Sequence, residues 1–264
     1  MCGRYASFRK AQQIADEFDV VTLSQAARDL EPSWNIPPTA PVRIIVERPA
    51  TVAERPAPAA ERSATGEGRG EAAEPVRAMH AARWGLVPPW ADSFSVGARM
   101  FNARSETAAT KPSFRKPFST SRCLVVADGY YEWHTSETGE KTPYYIFPTH
   151  GESIAFAGLF SWWPNPEEPE DSPDRWVLTT TILTAAARDG LEQIHEREPV
   201  MLPPEHIAPW LDPDLTDPAA IVDLLTAPGP QLSWHRVSRA VGSVRNNTPE
   251  LIAPAAPPVQ DTLL

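Results

Sequence analysis

The sequence predicts an α+β protein, a single domain with a mainly antiparallel, barrel-like β core and peripheral helices. Short apolar runs separated by turn residues recur along most of the 264 residues, as is typical of antiparallel strands. Amphipathic helical patterns are few. The chain also lacks a Gly-rich phosphate loop and the regular strand–helix alternation of doubly wound proteins.

The elements follow from these local patterns in chain order. Strands are predicted over residues 42–47, 79–86, 122–128, 130–133, 143–148, 153–159, 175–182 and 233–238. Helices are predicted over residues 9–18, 185–193, 204–211 and 217–225. The last helix starts with Thr-Asp-Pro, a capping signal followed by proline in the first turn.

Three segments are predicted to be appendages of a catalytic domain that spans residues 1–252. Residues 48–77 are rich in Ala, Glu, Arg and Pro and have few larger aliphatic side chains, so they are predicted to form a disordered insertion. Residues 164–174 carry five acids and no base, which predicts an exposed acidic loop. Residues 253–264 are predicted to be a flexible tail.

The composition excludes several classes of protein. No apolar run approaches the ~18–20 residues that cross a bilayer, and no signal-peptide core follows the start, so no membrane partner is expected. Cys2 and Cys123 are too few for a disulfide framework, which favours a reducing, cytoplasmic setting. The net charge of -10 argues against binding nucleic acid through bulk charge.

Cys2 is the most informative candidate because of its position. If Met1 is removed, the chain begins with a free α-amine and a thiol on adjacent carbons. The reference pKa of such an amine is about 7.7–8.0, so part of it is neutral at physiological pH. A 1,2-aminothiol condenses with an aldehyde to an imine and then to a five-membered thiazolidine. The alternative is an incidental small residue near a terminus. Cys123 is predicted to be a buried strand residue.

Residues 99–122 form a basic, aromatic-bearing stretch with six bases against one acid, Glu106. This pattern suits a groove for single-stranded nucleic acid, but the window taken alone favours the alternative, a solvated face with core phenylalanines. Trp90, in the stiff sequence RWGLVPPW at 83–90, could stack on a base or wedge between bases.

Two further motifs carry acid–base groups. In DGYYEWH at 128–134, strand alternation places Glu132 among aromatic side chains, where burial would raise its pKa as a general acid requires. An edge-strand glutamate remains the alternative. In IHEREPVM at 194–201, His195 lies where an imidazole can shuttle protons, and Arg197 is placed to hold a phosphate. No CxxC, HExxH or comparable spacing is present, so no metal and no cofactor are expected.

Taken in order, these motifs resemble the SOS response-associated peptidase (SRAP) family of abasic site processing proteins. The matching segments are MCGRY at 1–5, WNIPPT at 34–39, RWGLVPPW at 83–90, FNARSET at 101–107, DGYYEW at 128–133, FAGLF at 156–160, the 184–201 block and SRAVGSVRNNTPELI at 238–252. The resemblance implies one SRAP-like domain outside the insertions. It also implies a sensor of abasic sites in single-stranded DNA that forms a thiazolidine crosslink through Cys2.

The family pattern implies roles for individual residues. Cys2 would be the nucleophile, Asn102 would orient its amine, Glu132 would act as acid and base, and His195 would protonate the opened sugar oxygen. Residues that match DNA contacts of the family are Arg4, Asn35, Pro38, Trp90, Arg104 and Arg197. The implied partner is single-stranded DNA with abasic sites, including junctions at replication forks, bound by a monomer. The family name further implies peptidase action on its own N-terminus, alongside lyase activity.

Two departures from the family pattern lead to predictions. Ala91 follows Trp90 where the family often has a second large apolar residue, so the unstacking of flanking bases is predicted to be weaker. Glu198 brings a negative charge to the turn after His195 and is predicted to weaken phosphate binding at Arg197.

Two alternatives come from other classes of protein. The Met-Cys-Gly start also fits an N-terminal-nucleophile amidase such as a glutamine amidotransferase, in which the α-amine acts as the base for the thiol. A non-covalent single-stranded DNA-binding module would use the basic stretch without Cys2. A glutaminase assay and the Cys2→Ala variant discriminate these alternatives.

Overall fold

The computed structural model describes residues 2–49 and 75–255 of the chain. Its strands are β1 (Tyr5–Ser7), β2 (Val20–Leu23), β3 (Ser33–Ile36), β4 (Pro41–Pro49), β5 (Pro75–Trp84), β6 (Asn102–Arg104), β7 (Arg122–Ala127), β8 (Gly129–Thr135), β9 (Lys141–Pro148), β10 (Ile154–Pro164), β11 (Trp176–Ala186), β12 (Arg197–Pro199) and β13 (Leu232–Arg236). Its α-helices are α1 (Ala11–Glu17), α2 (Gln25–Asp29), α3 (Ser105–Ala108), α4 (Arg115–Thr120), α5 (Pro204–Leu211) and α6 (Pro218–Leu224).

Five strands close into a barrel in the order β11-β10-β7-β4-β5. The ring closes where β5 pairs with β11 through Arg83↔Thr179 and Trp84↔Thr180. This closing pair is parallel, whereas the other four contacts around the ring are antiparallel. The predicted α+β class with a mainly antiparallel, barrel-like core is therefore confirmed.

Alternation along the strands separates two apolar clusters. On β4, Val42, Ile44 and Val46 pack inside the barrel, while Ile45 between them faces the helices outside. The outer cluster includes Trp210 of α5, whose indole N–H donates to the Cys123 carbonyl at 2.9 Å. The helices thus cover the barrel wall and leave one end of the barrel to the second sheet.

The second sheet has the strand order β13-β9-β8-β1-β3. Tyr5 of β1 lies opposite Tyr130 of β8, and both side chains join the cluster that fills the barrel interior. The ring centroids of Tyr5 and Trp84 are 5.1 Å apart in an edge-on contact. Packing of the two sheets in this way creates a junction at which residues from β1, β6 and β8 meet.

The predicted helix over residues 185–193 is wrong. β11 continues to Ala186, and only a short 3-10 turn follows at Leu191–Gln193. Asp189 and Gly190 both have positive φ angles, 57° and 93°, which an α-helix does not accept. β11 therefore ends at Ala186, and the chain then forms a turn instead of an α-helix.

Some end residues of the predicted insertion and tail are ordered parts of the fold, contrary to the prediction. β4 and β5 extend the 41–84 hairpin into both ends of the 48–77 segment, where Arg48 pairs with Val76 and Pro49 with Pro75. Residues 50–74 lie outside the described residues. The acidic segment joins β10 to β11 across the paired residues Pro164 and Trp176. In the tail, the Ala255 N–H donates to the Arg236 carbonyl at 2.8 Å, and residues from 256 onward lie outside the described part.

Candidate functional site

The four residues predicted to be catalytic are far apart in the sequence, and the fold brings them to the junction of the two sheets. Cys2 precedes β1, Asn102 begins β6, Glu132 lies in β8, and His195 lies between a 3-10 turn and β12. Glu132 and His195 line one open cleft of about 410 Å³. The other residues lining this cleft are Trp133, Thr135, Lys141 and Gly242.

Asn102 ties Cys2 to the barrel. The Asn102 side-chain amide donates to the Cys2 carbonyl with an Nδ2–O distance of 2.7 Å. β6 is itself fixed because Asn102 pairs with Ile182 of β11. The Oδ1 atom of Asn102 is buried and accepts no hydrogen bond from any residue that the structure describes. An acceptor is thus held open beside the Cys2 backbone.

The Cys2 thiol is fully buried, and its Sγ lies 4.0 Å from the Arg4 carbonyl. Burial raises the pKa of this thiol far above its usual range, and the Glu132 carboxylate adds to the increase. Cys2 is therefore a neutral thiol at physiological pH. Cys123 is also fully buried, inside the barrel beside Thr180, as the sequence predicts.

Glu132 and His195 are titratable residues that line the same cleft. Glu132 is only 4% exposed, and burial raises the pKa of its carboxyl, an effect that the charge of His195 partly offsets. The His195 Nδ1 atom accepts a hydrogen bond from the Arg197 backbone N–H at 3.0 Å. In the neutral imidazole the proton therefore resides on Nε2.

Arg4 and Asn35 support a wall of the cleft. The Arg4 guanidinium donates to Asn35 Oδ1 at 2.8 Å and to the Val241 carbonyl at 2.9 Å. The buried Asn35 amide donates to the carbonyls of Val241, Ser243 and Asn246. These bonds fix the segment next to Gly242, which lines the cleft. The contacts give both residues a structural role, and direct DNA contacts by them stay a prediction.

Arg197 is bound by a partner that the sequence did not reveal. Glu106 receives a bidentate contact from its guanidinium, 2.5 Å from Nη1 to Oε1 and 2.9 Å from Nη2 to Oε2. Arg197 Nη2 also donates to the Thr184 carbonyl at 2.6 Å. Arg104, by contrast, is exposed and makes no side-chain hydrogen bond or ion pair with any described residue. Glu106 is the only acid in the basic stretch 99–122, and this was the feature of the sequence that could have pointed to it.

The predicted effect of Glu198 on Arg197 is wrong. The two residues are consecutive in β12, and strand alternation directs them to opposite faces. Glu198 is 4% exposed and binds Arg188 at 3.1 Å from Nε to Oε1. Its charge is therefore directed away from Arg197, and Glu106 supplies the competing carboxylate instead.

Trp90 is exposed, whereas the residue after it is not. The Trp90 side chain is 63% exposed on the loop that follows β5. Ala91 is buried against Val87 and Trp163, and its carbonyl accepts from the Trp163 indole N–H at 2.8 Å. A larger side chain at position 91 would enter this cluster, and position 91 provides no second exposed apolar residue beside Trp90. Weaker unstacking of flanking bases stays a prediction.

Pro38 lies in the turn before β4. This turn is joined to the end of β5, because the Thr39 N–H donates to the Trp84 carbonyl at 2.7 Å. Pro38 therefore lies on a loop that is hydrogen-bonded to the C-terminal end of β5. Trp90 lies on the loop that leaves β5 at the same end.

The basic stretch is partly interior. Arg122 is 4% exposed and donates to the carbonyls of Phe118, Ser119, Trp210, Asp212 and Leu215. Phe114 and Phe118 belong to the outer core cluster. Arg122, Phe114 and Phe118 are therefore core residues and do not line a nucleic-acid groove.

Two absences hold for the described residues. Within residues 2–49 and 75–255, no group of three or more His, Cys, Asp or Glu side chains is arranged to hold a metal ion. The longest α-helix in those ranges, α5, has eight residues, too few to cross a membrane.

The fold and the cleft define a barrel protein with a cysteine-centred polar site at the junction of two sheets. The chain belongs to the SOS response associated peptidase (SRAP) family, whose model matches residues 1–244. This confirms the resemblance seen in the sequence.

Relatives agree with this assignment, and a solved structure shares the fold. The chain is 33% identical over 253 residues to "Abasic site processing protein YoqW" of Bacillus subtilis, with 96% of this chain and 99% of the relative covered. It is 38% identical over 173 residues to "Abasic site processing protein YedK" of Escherichia coli, with 65% and 72% covered. A crystal structure of a protein from Bacteroides thetaiotaomicron matches the fold with a TM-score of 0.75 at 22% identity, covering 97% of this chain and all of that one.

Proposed function

We propose that this protein processes abasic sites in single-stranded DNA by forming a covalent thiazolidine crosslink through Cys2. The observation that carries the proposal is the setting of Cys2. Its carbonyl is held by Asn102, an open amide acceptor lies beside its backbone, and burial, together with the Glu132 carboxylate, raises the pKa of its thiol. The names of the relatives supply the substrate, an abasic site.

The reaction begins once removal of Met1 has exposed the Cys2 α-amine. The neutral amine attacks the C1′ aldehyde of the ring-opened deoxyribose, and loss of one water gives an imine. The Cys2 sulfur then adds to the imine carbon, and the thiol proton passes to the nitrogen. A five-membered thiazolidine results, with a net loss of one water and no redox change.

The electrostatics of the site favour this order of steps. Because burial raises the pKa of the Cys2 thiol, little thiolate is present to attack first. Asn102 Oδ1 is placed to accept a hydrogen bond from the α-amine and so to direct its lone pair toward the aldehyde. Glu132, with its raised pKa, donates a proton during ring opening and water loss, and His195 protonates the opened sugar oxygen.

The DNA strand is expected to pass over the cleft with its phosphates at Arg104 and Arg197 and a base against Trp90. Arg104 and Trp90 are exposed and need no rearrangement. A strand junction is the natural position for Trp90, since an exposed indole can stack where a duplex ends. Any peptidase or lyase action uses the same Cys2 centre.

The test is an adduct assay with intact-mass analysis. Protein mixed with a single-stranded oligonucleotide that contains an abasic site should give a product stable to boiling in detergent. Its mass should equal protein without Met1 plus oligonucleotide minus one water. Cys2→Ala should abolish the product, whereas Cys123→Ala, which removes the other buried cysteine, should retain it.

Each other outcome is informative. Processed wild-type protein that forms no adduct contradicts the crosslink. Salt-sensitive DNA binding that persists unchanged in Cys2→Ala, again without adduct, identifies a non-covalent binding module. Release of ammonia from glutamine identifies the amidase alternative.

A further inference from the structure

Arg83 is a cation without an anionic partner in the part of the chain that the structure describes. Its Cζ atom lies 3.9 Å from the centroid of the Phe94 ring, and Phe94 in turn stacks on Trp163 at 5.1 Å. The Arg83 Nε atom is buried and makes no hydrogen bond with any described residue. A half-buried guanidinium in this state has lost water without gaining a carboxylate, which is unfavourable unless a ligand supplies the anion.

The position of Arg83 connects it to the proposed DNA path. Trp84, the next residue, points into the barrel, so strand alternation places Arg83 on the outer surface. Pro41 pairs with Arg83 on one side, and the turn that holds Pro38 leads directly into Pro41. On the C-terminal side, the chain leaves β5 into the loop that carries the exposed Trp90. Arg83 thus lies between the two loops that carry Pro38 and Trp90.

The distance from the reactive centre is also suitable. Arg83 pairs with Thr179 of β11, and Asn102 pairs with Ile182 on the same edge of that strand. Three residues of strand correspond to about 10 Å. A distance of this size lies within the reach of a single DNA strand that has its abasic site at the reactive centre.

We infer that Arg83 binds a phosphodiester of the DNA strand a few nucleotides from the abasic site. The Phe94 ring fixes the guanidinium plane, and the Nη groups donate to the phosphate oxygens. This rests on the proposed function only in that DNA is the partner. Arginine on an aromatic face retains its charge and its bidentate donor geometry, which suits phosphate recognition.

The test is the salt dependence of binding to an undamaged single-stranded oligonucleotide, followed by fluorescence anisotropy. Arg83→Met keeps an apolar stem on Phe94 but removes the charge, so binding should weaken. The slope of log K against log salt concentration should fall in magnitude by about 0.7, the value for one phosphate contact in single strands. Arg83→Lys should restore most of the slope.

The matched control is Arg115→Met. It removes the same charge from α4, which packs on β7 and β10 instead of β5. An Arg83→Met protein with a lower thermal midpoint and an unchanged slope would show a purely structural role and overturn the inference. An equal loss of slope in Arg115→Met would show a bulk charge effect and overturn it too. Wild-type protein that does not bind the oligonucleotide would instead refute the proposed function itself.

Discussion

At the scale of single residues, Glu106 occupies the place that a phosphate would take on Arg197. Both terminal nitrogens of Arg197 contact its carboxylate, and Nη2 also donates to Thr184. The Arg197 contact lowers the pKa of Glu106, so the pair is ionised and intact at neutral pH. A phosphodiester carries the same charge as this carboxylate, so DNA must displace Glu106 before Arg197 can bind it bidentately.

Removing this competition should strengthen DNA binding. Glu106→Gln frees Arg197, so affinity for single-stranded DNA should rise several-fold and the salt slope should increase by about 0.7. The cost to stability should be small, since Glu106 is half-exposed and exposed ion pairs contribute about 0–1 kcal/mol. Anisotropy titrations over a salt series measure both quantities. In the Arg197→Met background the gain should vanish, and weaker binding by Glu106→Gln alone would instead show that Glu106 orients Arg197 for its ligand.

Glu132, the proposed acid and base, reduces the stability of the folded protein at neutral pH. Because its folded pKa is raised by burial, the folded state binds more protons than the unfolded state between the unfolded pKa, about 4.3, and the raised value. Stability therefore falls as the pH rises through this window. Each unit of elevation corresponds to about 1.4 kcal/mol.

Glu132→Gln should accordingly stabilise the protein at pH 7 and have little effect near pH 4. For a domain of this size, ~1 kcal/mol corresponds to a shift of the thermal midpoint by about 2–4 °C. Crosslinking should slow strongly in the same variant, because glutamine cannot exchange a proton. Calorimetry at the two pH values tests the stability effect, and an equal shift at both would contradict an origin in the buried charge.

At the scale of elements, the sequence predicted long elements well and short ones poorly. The eight strand predictions all fall on observed strands, and the last two helices lie within a residue of α5 and α6. Strands of three or four residues, such as β1, β6 and β12, carry too few positions for a period of two to be visible. Their pairings are with distant segments, as β6 with β11, which local pattern cannot encode.

At the candidate site too, features that depend on local sequence were predicted and contacts between distant segments were not. Family motifs identified the four residues that lie at the junction of the two sheets, two of which, Glu132 and His195, line the cleft, since each motif is local. The bond from Arg197 to Glu106 spans 91 positions, and the burial of Glu198 depends on Arg188, so neither was visible before folding.

The β4–β5 hairpin gives a prediction about the segment between its strands. Pro49 and Pro75 are paired but have no N–H groups to close a two-residue turn, so a flexible turn of about four or five Gly and Ser residues can replace residues 50–74 without moving either strand. Folding and crosslinking should be retained within about 0.5 kcal/mol. Deletion of 48–77 should be more destabilising because it removes Arg77, which donates to the Phe18 carbonyl at 2.9 Å. Chemical denaturation of both deletions provides the comparison, and equal stability would contradict the strand assignment of Arg77.

At the scale of the whole molecule, charge and position must be considered together. The net charge of -10 includes five acids in the segment 164–174, which joins β10 to β11. That segment lies at the start of β11, whereas Asn102 pairs with Ile182, six residues after Trp176. At ~3.3 Å per residue the separation along the strand is about 20 Å, beyond the Debye length of ~8 Å at physiological salt. The proposed phosphate site at Arg83 is nearer, because Arg83 pairs with Thr179, three residues after Trp176, which is about 10 Å along the strand and slightly more than one Debye length.

Replacement of these five acids by their amides should therefore change the rate of association with single-stranded DNA only slightly at physiological ionic strength. The acids concerned are Glu167, Glu168, Glu170, Asp171 and Asp174. At about 0.01 M salt the Debye length grows to ~30 Å, and the variant should then associate several-fold faster than the wild-type protein. Stopped-flow measurements at the two salt concentrations test this, with Glu106→Gln as the control whose effect should persist at physiological salt because its charge contacts the binding residue directly. A large rate increase at physiological salt would show that the acidic segment lies close to the DNA path. The segment itself, and not only the net charge of the protein, would then repel the DNA strand.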